Sequence, residues 1–525
     1  MADQNIVKAQ KYLNSKYGHR NGWIKLEENG ISGTKLCQGL IRAFQIQNSV
    51  SVTATLDNPT LNKMRSLAKI VPNDKANPNI NIIQCALYAK GYNPGGISGT
   101  MNATSMKAVN EFQANAGIAV AKRVNWKAWM GLVSLNWFKK ASGGDANIIT
   151  IQRQLNADWS NIIGVGPCDG MVARHTAFAL IAALQAAEGV HTKFMGTING
   201  LTFDKQTTAK FPKVLKQGQN GDFVKYNKLV QYGLYLNGYK GKFDGNYDSA
   251  LADNVTAFQN FYALGSIVTK GEVNCSTMKS LLTSKGDTAR KAKACDCATV
   301  LNAKQAKDLK KAGYEVVGRY LTGKIGINNN IPKYLTLEEI KHIQNAGLRV
   351  FPIYQDGGKR IEYFENLKQG ELDGDKAIKA SKKIGVPKGT TIYFAVDFDC
   401  SISQMNKYIV PYFQKVKAVF TGSKNTKNYK IGIYGPRLIC TTISNKGLAE
   451  LSFVADMSTG YGGNLGYPIP KNWAFDQFYT LSKQNGDQFP STPSFDLDKD
   501  GYSGKDKGIS KFDPKIYSEA EELER

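Results

Sequence analysis

No apolar run in this 525-residue chain approaches the roughly 18 residues that a membrane-spanning helix requires, so no membrane span is expected. Histidine is scarce. His19, His175, His191 and His342 are dispersed, which leaves no Ser/His/Asp or Cys/His nucleophile system to expect. The eight cysteines (37, 85, 168, 275, 295, 297, 400 and 440) form no C-x-x-C pair and no Cys/His cluster, so isolated thiols are expected and neither a metal site nor a cofactor is. No basic segment followed by an apolar stretch opens MADQNIVKAQKYLN, so no secretory signal is read there. A Lys/Arg-rich block and an aromatic RNA-binding signature are both lacking, which argues against nucleic acid as a partner.

What is present is an ordinary globular composition, 42% hydrophobic and 10% aromatic, in a chain too long for one core. The formal net charge is +25. Residues 1–290 hold 33 Lys and Arg against 17 Asp and Glu, and the remainder 35 against 26. A surplus concentrated in the first half favours a polyanionic partner such as a charged cell-wall polymer.

The first 285 residues repeat. A [Ser/Asp]-Gly turn (Ser32-Gly33, Ser98-Gly99, Asp169-Gly170, Asp244-Gly245) precedes a helical segment ending in Phe44-Gln45, Phe112-Gln113, Leu184-Gln185 or Phe258-Gln259. One helical segment lies upstream of each turn and a shorter one downstream, which predicts four three-helix modules at 1–72, 73–142, 143–214 and 215–285. The pattern, clearest in YGLYLNGYKGKFDGNYDSALADNVTAFQ, resembles the peptidoglycan-binding-domain-1 family. That resemblance implies peptidoglycan, and with it anionic wall polymers, as partners. Helical spacers without ligand binding are the alternative.

Residues 286–294 are polar and basic and read as a linker. Beyond them, strands alternate with helices. Candidate strands are 294–298, 315–321, 349–356, 391–399, 429–435, 451–457, 474–479 and 494–498. Eight strands, joined by helices early and irregularly late, predict a (β/α)₈ TIM-like barrel over 295–512, before a charged tail at 513–525. A doubly wound sheet would show a Gly-rich phosphate loop after its first strand, and none is present.

The strand TIYFAVDFD carries two acids, Asp397 and Asp399, at its C-terminal end, where such barrels keep their chemistry. Other strand ends bring Asp296, Arg319, Tyr320, Tyr354, Asp356, Tyr434, Asp456, Gln477 and Asp496 with Asp498 to the same rim. Paired carboxylates suit glycosidic cleavage: one protonates the leaving oxygen, the other supports the anomeric centre. Tyrosines and an amide suit sugar recognition. The segments CDCATVLNAKQAKDLKKAGYEVVGRYL, GTTIYFAVDFD, YKIGIYG, FDQF and SFDLD resemble the DUF1906 (Rv2525c-like) glycoside-hydrolase-like family, related to the family-25 lysozymes. The resemblance places catalytic acids at Asp296, Asp397, Asp399 and Asp496, with Asp399 where those lysozymes carry Glu. Structural alternatives remain: Asp397 paired with Arg319, Asp399 as a helix N-cap, Gln477 satisfying barrel hydrogen bonds. Asp496-Leu-Asp498-Lys-Asp500-Gly501 opens like a calcium loop, but Lys507 stands where the last ligand belongs. The expected protein is a bacterial or phage cell-wall lytic protein with muramidase-like activity, acting extracellularly or at the wall and released without a recognisable signal. A non-catalytic glycan reader is the alternative.

Overall fold

The computed structural model describes residues 2–513 apart from 68, 197, 199, 327, 329, 492 and 493. Of the expected charged tail, only Asp513 is among the described residues. The chain divides into two compact units, 1–211 and 212–525.

The first unit is helical: Gln4–Tyr17, Thr34–Gln47, Asn58–Ser66, Pro78–Ala89, Ala103–Asn115, Trp126–Val133, Ala146–Ile163, Arg174–Ala187 and Lys205–Lys210. Asp and Asn side chains cap most of these starts, as at Asp3, Asp57, Asn102, Asn125 and Asp145. Leu13, Leu40, Phe44, Leu87, Phe112 and Trp129 belong to one buried core. The recurrent glutamines are structural. Each first-helix carboxamide accepts from a turn glycine: Gln10 from Gly30 at 2.9 Å, Gln84 from Gly99 at 3.0 Å, and Gln152 from Gly170 at 2.9 Å. In the second unit Gln231 does the same for Gly245, at 2.8 Å. The helix-ending glutamines are buried too, and Gln45 and Gln259 donate to Thr60 and Thr277. A turn buried at its glycine needs such a partner for its N–H. The first turn is therefore Asn29-Gly30, where Gly30 has φ +70°, and not the expected Ser32-Gly33; Gly33 is instead the N-cap of the helix Thr34–Gln47.

The second unit opens with the helices Val224–Leu236, Ser249–Phe261 and Cys275–Leu282, and Phe261 with Tyr262 packs on the barrel. Trp473 donates its indole N–H to the Phe261 carbonyl at 3.1 Å. Residues 286–294 are not a free linker. Arg290 is buried, pairs with Asp476 at 2.8 Å and lies 3.5 Å over the Phe478 ring. Lys499 donates to the Thr288 carbonyl at 2.9 Å.

The barrel strands are β1 (Ala294–Asp296), β2 (Val316–Tyr320), β3 (Arg349–Tyr354), β4 (Thr391–Ala395), β5 (Lys430–Gly435), β6 (Leu451–Val454), β7 (Trp473–Leu481) and β8 (Leu497–Tyr502). They close in the order β1-β8-β7-β6-β5-β4-β3-β2. Seven run parallel, but β8 is antiparallel to both neighbours, which departs from a regular (β/α)₈ barrel. Helices connect the early strands; among the described residues the β6–β7 and β7–β8 connections carry only 3₁₀ turns.

Alternation along the strands sorts side chains between lumen and outer layer. Ile392 and Phe394 of β4 join the outer apolar layer, whereas Tyr393 and Ala395 join the lumen cluster. Phe351 and Phe475 stack in the lumen at 3.9 Å with Tyr393 and Phe453 edge-on, and burying each such ring is worth roughly 1.5–3 kcal/mol. Two glycines make room. A Cβ on Gly318 would lie 2.4 Å from the Phe351 ring, and one on Gly432 2.5 Å from Tyr393. The barrel is filled to its floor, which confines any chemistry to the mouth.

A candidate active site at the barrel mouth

The antiparallel course of β8 builds the site. Its N-terminal end lies at the mouth, so Asp498 stands beside Asp296 of β1 in register, and Asp500 sits one layer deeper opposite Ala294. The expected last strand, 494–498, is thus displaced and reversed, and the calcium-like segment is strand rather than loop. A register shift between Lys499 and Asp500 puts both Gln477 and Thr480 of β7 within reach of Asp498.

Gln477 is the hub. Its amide N–H donates to Asp296 at 2.7 Å and to Asp498 at 3.2 Å, and its carbonyl accepts from the Tyr434 hydroxyl at 2.8 Å. Thr480 donates to the other Asp498 oxygen. Neither oxygen of buried Asp500 meets an N–H or O–H donor. It lies two residues along β8 from Asp498 and feels the charge of Asp296, and a hydrogen bond between two such carboxyls closes only when one of them is protonated.

Burial, then the charge of Asp498, pushes the Asp296 carboxyl well up from the usual carboxylate range. Burial and the Asp296 charge do the same to Asp500. Asp498 is pushed up to about 6, chiefly by burial. Asp397, half-buried, is raised by burial and drawn back by Lys359, by a 3.3 Å hydrogen bond from Gln355, and by Lys333. Tyr320 and Tyr434 are raised by burial and by these same acids. Burial and mutual charge at the mouth thus favour keeping part of this set protonated beside ionised neighbours.

A folded state that keeps these acids protonated binds protons the unfolded chain has already lost above about pH 4. Their contribution to stability is full below that pH and is lost as pH rises, the Asp498 part through about 6. Asp500→Asn, whose amide can donate to Asp296, should remove part of that loss. Its urea midpoint at pH 7.5 should exceed that of the parent by the equivalent of about 1–2 kcal/mol, the two converging near pH 4. A variant weaker at both pH values would refute the shared-proton account.

Six of the sequence-predicted residues meet here: Asp296, Tyr320, Asp397, Tyr434, Gln477 and Asp498. Asp496 is exposed beside them and adds its charge to the environment of Asp498. The others lie elsewhere. β4 stops at Ala395, so strand alternation does not carry Asp397 and Asp399 to a common side. Asp397 donates its backbone N–H to Gly358, while Asp399 accepts the backbone N–H groups of Gly462 at 2.7 Å and Gly463 at 3.1 Å. Ser401, not Asp399, caps the next helix.

Arg319 faces the outer layer, fully buried, and pairs with Glu339 at 2.6 Å rather than with Asp397. Tyr354 also faces outward and, with Tyr363 and Tyr412, donates to buried Asp373. Asp356 is engaged by Lys376 and Thr322. Asp456 is buried in a two-pronged pair with Arg437 at 2.6 and 2.7 Å. Sequence reasoning missed Lys333, Gln355, Thr480 and the roles of Asp498 and Asp500. Alternation from Asp496 with an antiparallel last strand was the one signal for the last two.

A closed barrel with clustered carboxylates at its mouth defines a glycoside hydrolase-like domain, and helical units precede it. Family models agree on both counts: the Rv2525c-like, glycoside hydrolase-like domain matches residues 307–500, and the FadG/YbfG, PGDB-like domain matches 141–282. The chain is 42% identical to the uncharacterized protein YbfG of Bacillus subtilis (strain 168), over 98% of this chain and 69% of that one. It is 38% identical to the uncharacterized protein FadG of the same organism, over 97% and 86% respectively. The chain belongs to the YbfG/FadG family. Among solved structures, the Mycobacterium tuberculosis Tat-secreted protein Rv2525c in complex with HEPES matches 42% of this chain and 99% of its own, at 20% identity and a TM-score of 0.34. No described helix is long and apolar enough to cross a membrane.

Proposed function

We propose that this chain is a cell-wall protein whose helical modules bind peptidoglycan and whose barrel hydrolyses its glycan strands, working outside the cell that makes it. The observation carrying this reading is the set of carboxyls that Gln477 links at the mouth, Asp296 and Asp498, with the Tyr434 hydroxyl bound to the same amide. Asp397, the most accessible of the raised acids that face the mouth, protonates the glycosidic oxygen. Asp296, ionised while Gln477 donates to it, supports the oxocarbenium-like state, with Asp498 beside it. The modules add avidity along a polymer, and the basic surplus favours walls rich in anionic chains.

Incubation with purified peptidoglycan, followed by mass spectrometry and a reducing-end assay, tests this. New reducing ends between amino sugars are expected, and wall binding with no release of fragments would refute the hydrolase. That second outcome selects a glycan reader with an inactive barrel. One observation favours it: the Asp399 carboxylate is taken up by the Gly462 and Gly463 amides, leaving β4 a single acid at the mouth.

A further inference from the structure

Lys333 follows the short strand Ile331–Pro332 in the loop beyond β2, and only 7% of its surface is exposed. Among the described residues its ammonium meets the Gln355 side-chain carbonyl at 3.3 Å and the face of Tyr320 at 4.0 Å, and it forms no ion pair. The loop is shaped around it. Gly323, at φ +91°, has no side chain where a Cβ would come within 2.6 Å of the lysine Cε. Beyond one hydrogen bond and one ring face, Asp356 and Asp397 act on the ammonium through space without touching it, which leaves room for an anion in direct contact. The nearest acids are otherwise engaged: Asp356 with Lys376 and Thr322, Asp397 with Gln355. Lys359, exposed, contributes a second positive charge felt by both Lys333 and Asp397. Neutral sugar hydroxyls are already served by the carboxylates, tyrosines and glutamines of the mouth. They give no reason for two cations on this side.

We propose that Lys333 and Lys359 form an anion subsite beside Asp397 that takes a carboxylate carried by the glycan next to the bond at the mouth. This rests on the barrel being a glycan site, and it names the class of glycan: acidic rather than neutral. The carboxylate can belong to the sugar, as a lactyl or uronic group, or to a peptide attached to it. Through Gln355, which touches both Lys333 and Asp397, a bound anion is registered against the acid.

The experiment measures binding by calorimetry in the full-length Asp397→Asn protein, so turnover is not needed. Its probes are the N-acetylglucosaminyl–N-acetylmuramic acid disaccharide, the same disaccharide with its lactyl group as the methyl amide, and the disaccharide–peptide. The free acid is expected to bind about tenfold tighter than the methyl amide. Lys333→Met, which keeps the aliphatic stem, is expected to erase that preference, and Lys333→Arg to retain it. Binding by the helical modules is common to all these proteins and cancels. A disaccharide–peptide that matches the free acid, and also loses affinity in Lys333→Met, places the carboxylate on the peptide and upholds the subsite. Equal affinity for acid and amide, or a preference that survives Lys333→Met, overturns it. A lysine serving only to adjust Asp397 would change the pH profile of cleavage and leave the charge preference intact, which also overturns it. Absence of hydrolysis in the reducing-end assay leaves these binding results unaffected.

Discussion

Asp397→Asn is expected to slow glycan cleavage by about 100- to 10,000-fold, the usual worth of a general acid, while leaving thermal unfolding nearly unchanged. Its neighbour Asp399→Asn should do the reverse. The distinction follows from where β4 ends. Asp397 is half-buried, accepts from Gln355 at 3.3 Å and stands among the raised acids, within reach of a bound ligand. Asp399 spends both oxygens on the Gly462 and Gly463 amides and works as a clasp on the loop after β6. Removing its charge weakens two bonds, at a cost of about 1 kcal/mol, and leaves the reacting centre alone. Steady-state rates on soluble glycan strands, paired with melting curves, separate the two. Equal loss of rate in both variants would return the acid's role to the pair as a whole.

Arg437→Ala should cost about 3–5 kcal/mol and free the fourth helical set from the barrel. Arg437 is fully enclosed and binds Asp456 through two nitrogens, the Tyr467 carbonyl at 3.0 Å and the Ser284 carbonyl at 3.2 Å. It also reaches the Tyr262 hydroxyl at 3.3 Å, on the residue that follows the helix Ser249–Phe261. Truncation leaves Asp456 buried without its cation, close to Asp476, which burial and the Asp456 charge already push well above the carboxylate range. The penalty is therefore the stranded charge more than the lost contacts. Urea unfolding should show the loss, and hydrogen exchange should quicken in the helices Val224–Leu236 and Ser249–Phe261. Adding Asp456→Leu to Arg437→Met should recover most of the stability. A single variant within about 1 kcal/mol of the parent would mean that apolar contact around Trp473 alone holds the pieces together.

The elements were legible where period and burial agree. TIYFA reads as a doubly buried strand and is one; the Gly-turn and glutamine signals mark helices that are present. Those signals recur because each turn needs its buried carboxamide, a demand of the fold that says nothing about ligands. What escaped was direction and continuation. Nothing local in SFDLDKDGY tells which way the strand runs, so the sequence brings both Asp496 and Asp498 to the rim and the resemblance gives the catalytic role to Asp496, whereas the inward acids of the strand are Asp498 and Asp500. Reading alternation through 391–399 runs four residues past the end of β4 and joins Asp399 to a site it does not share. Arg319, Tyr354 and Asp456 were misplaced because strand-end polarity does not distinguish lumen from outer layer; their partners, Glu339, Asp373 and Arg437, come from distant helices. Lys333 carries no motif, and only its burial marks it.

The aromatic floor under the acids has a consequence for proton traffic. Phe351, Tyr393, Phe453 and Phe475 close the lumen beneath Asp296 and Asp500, so protons reach those carboxyls from one side. A ligand seated across the mouth stoppers that supply. Exchange of protons between Asp296, Asp500 and solvent is then slowest while a ligand is seated, and Asp397, nearer the edge, is the acid left free to act.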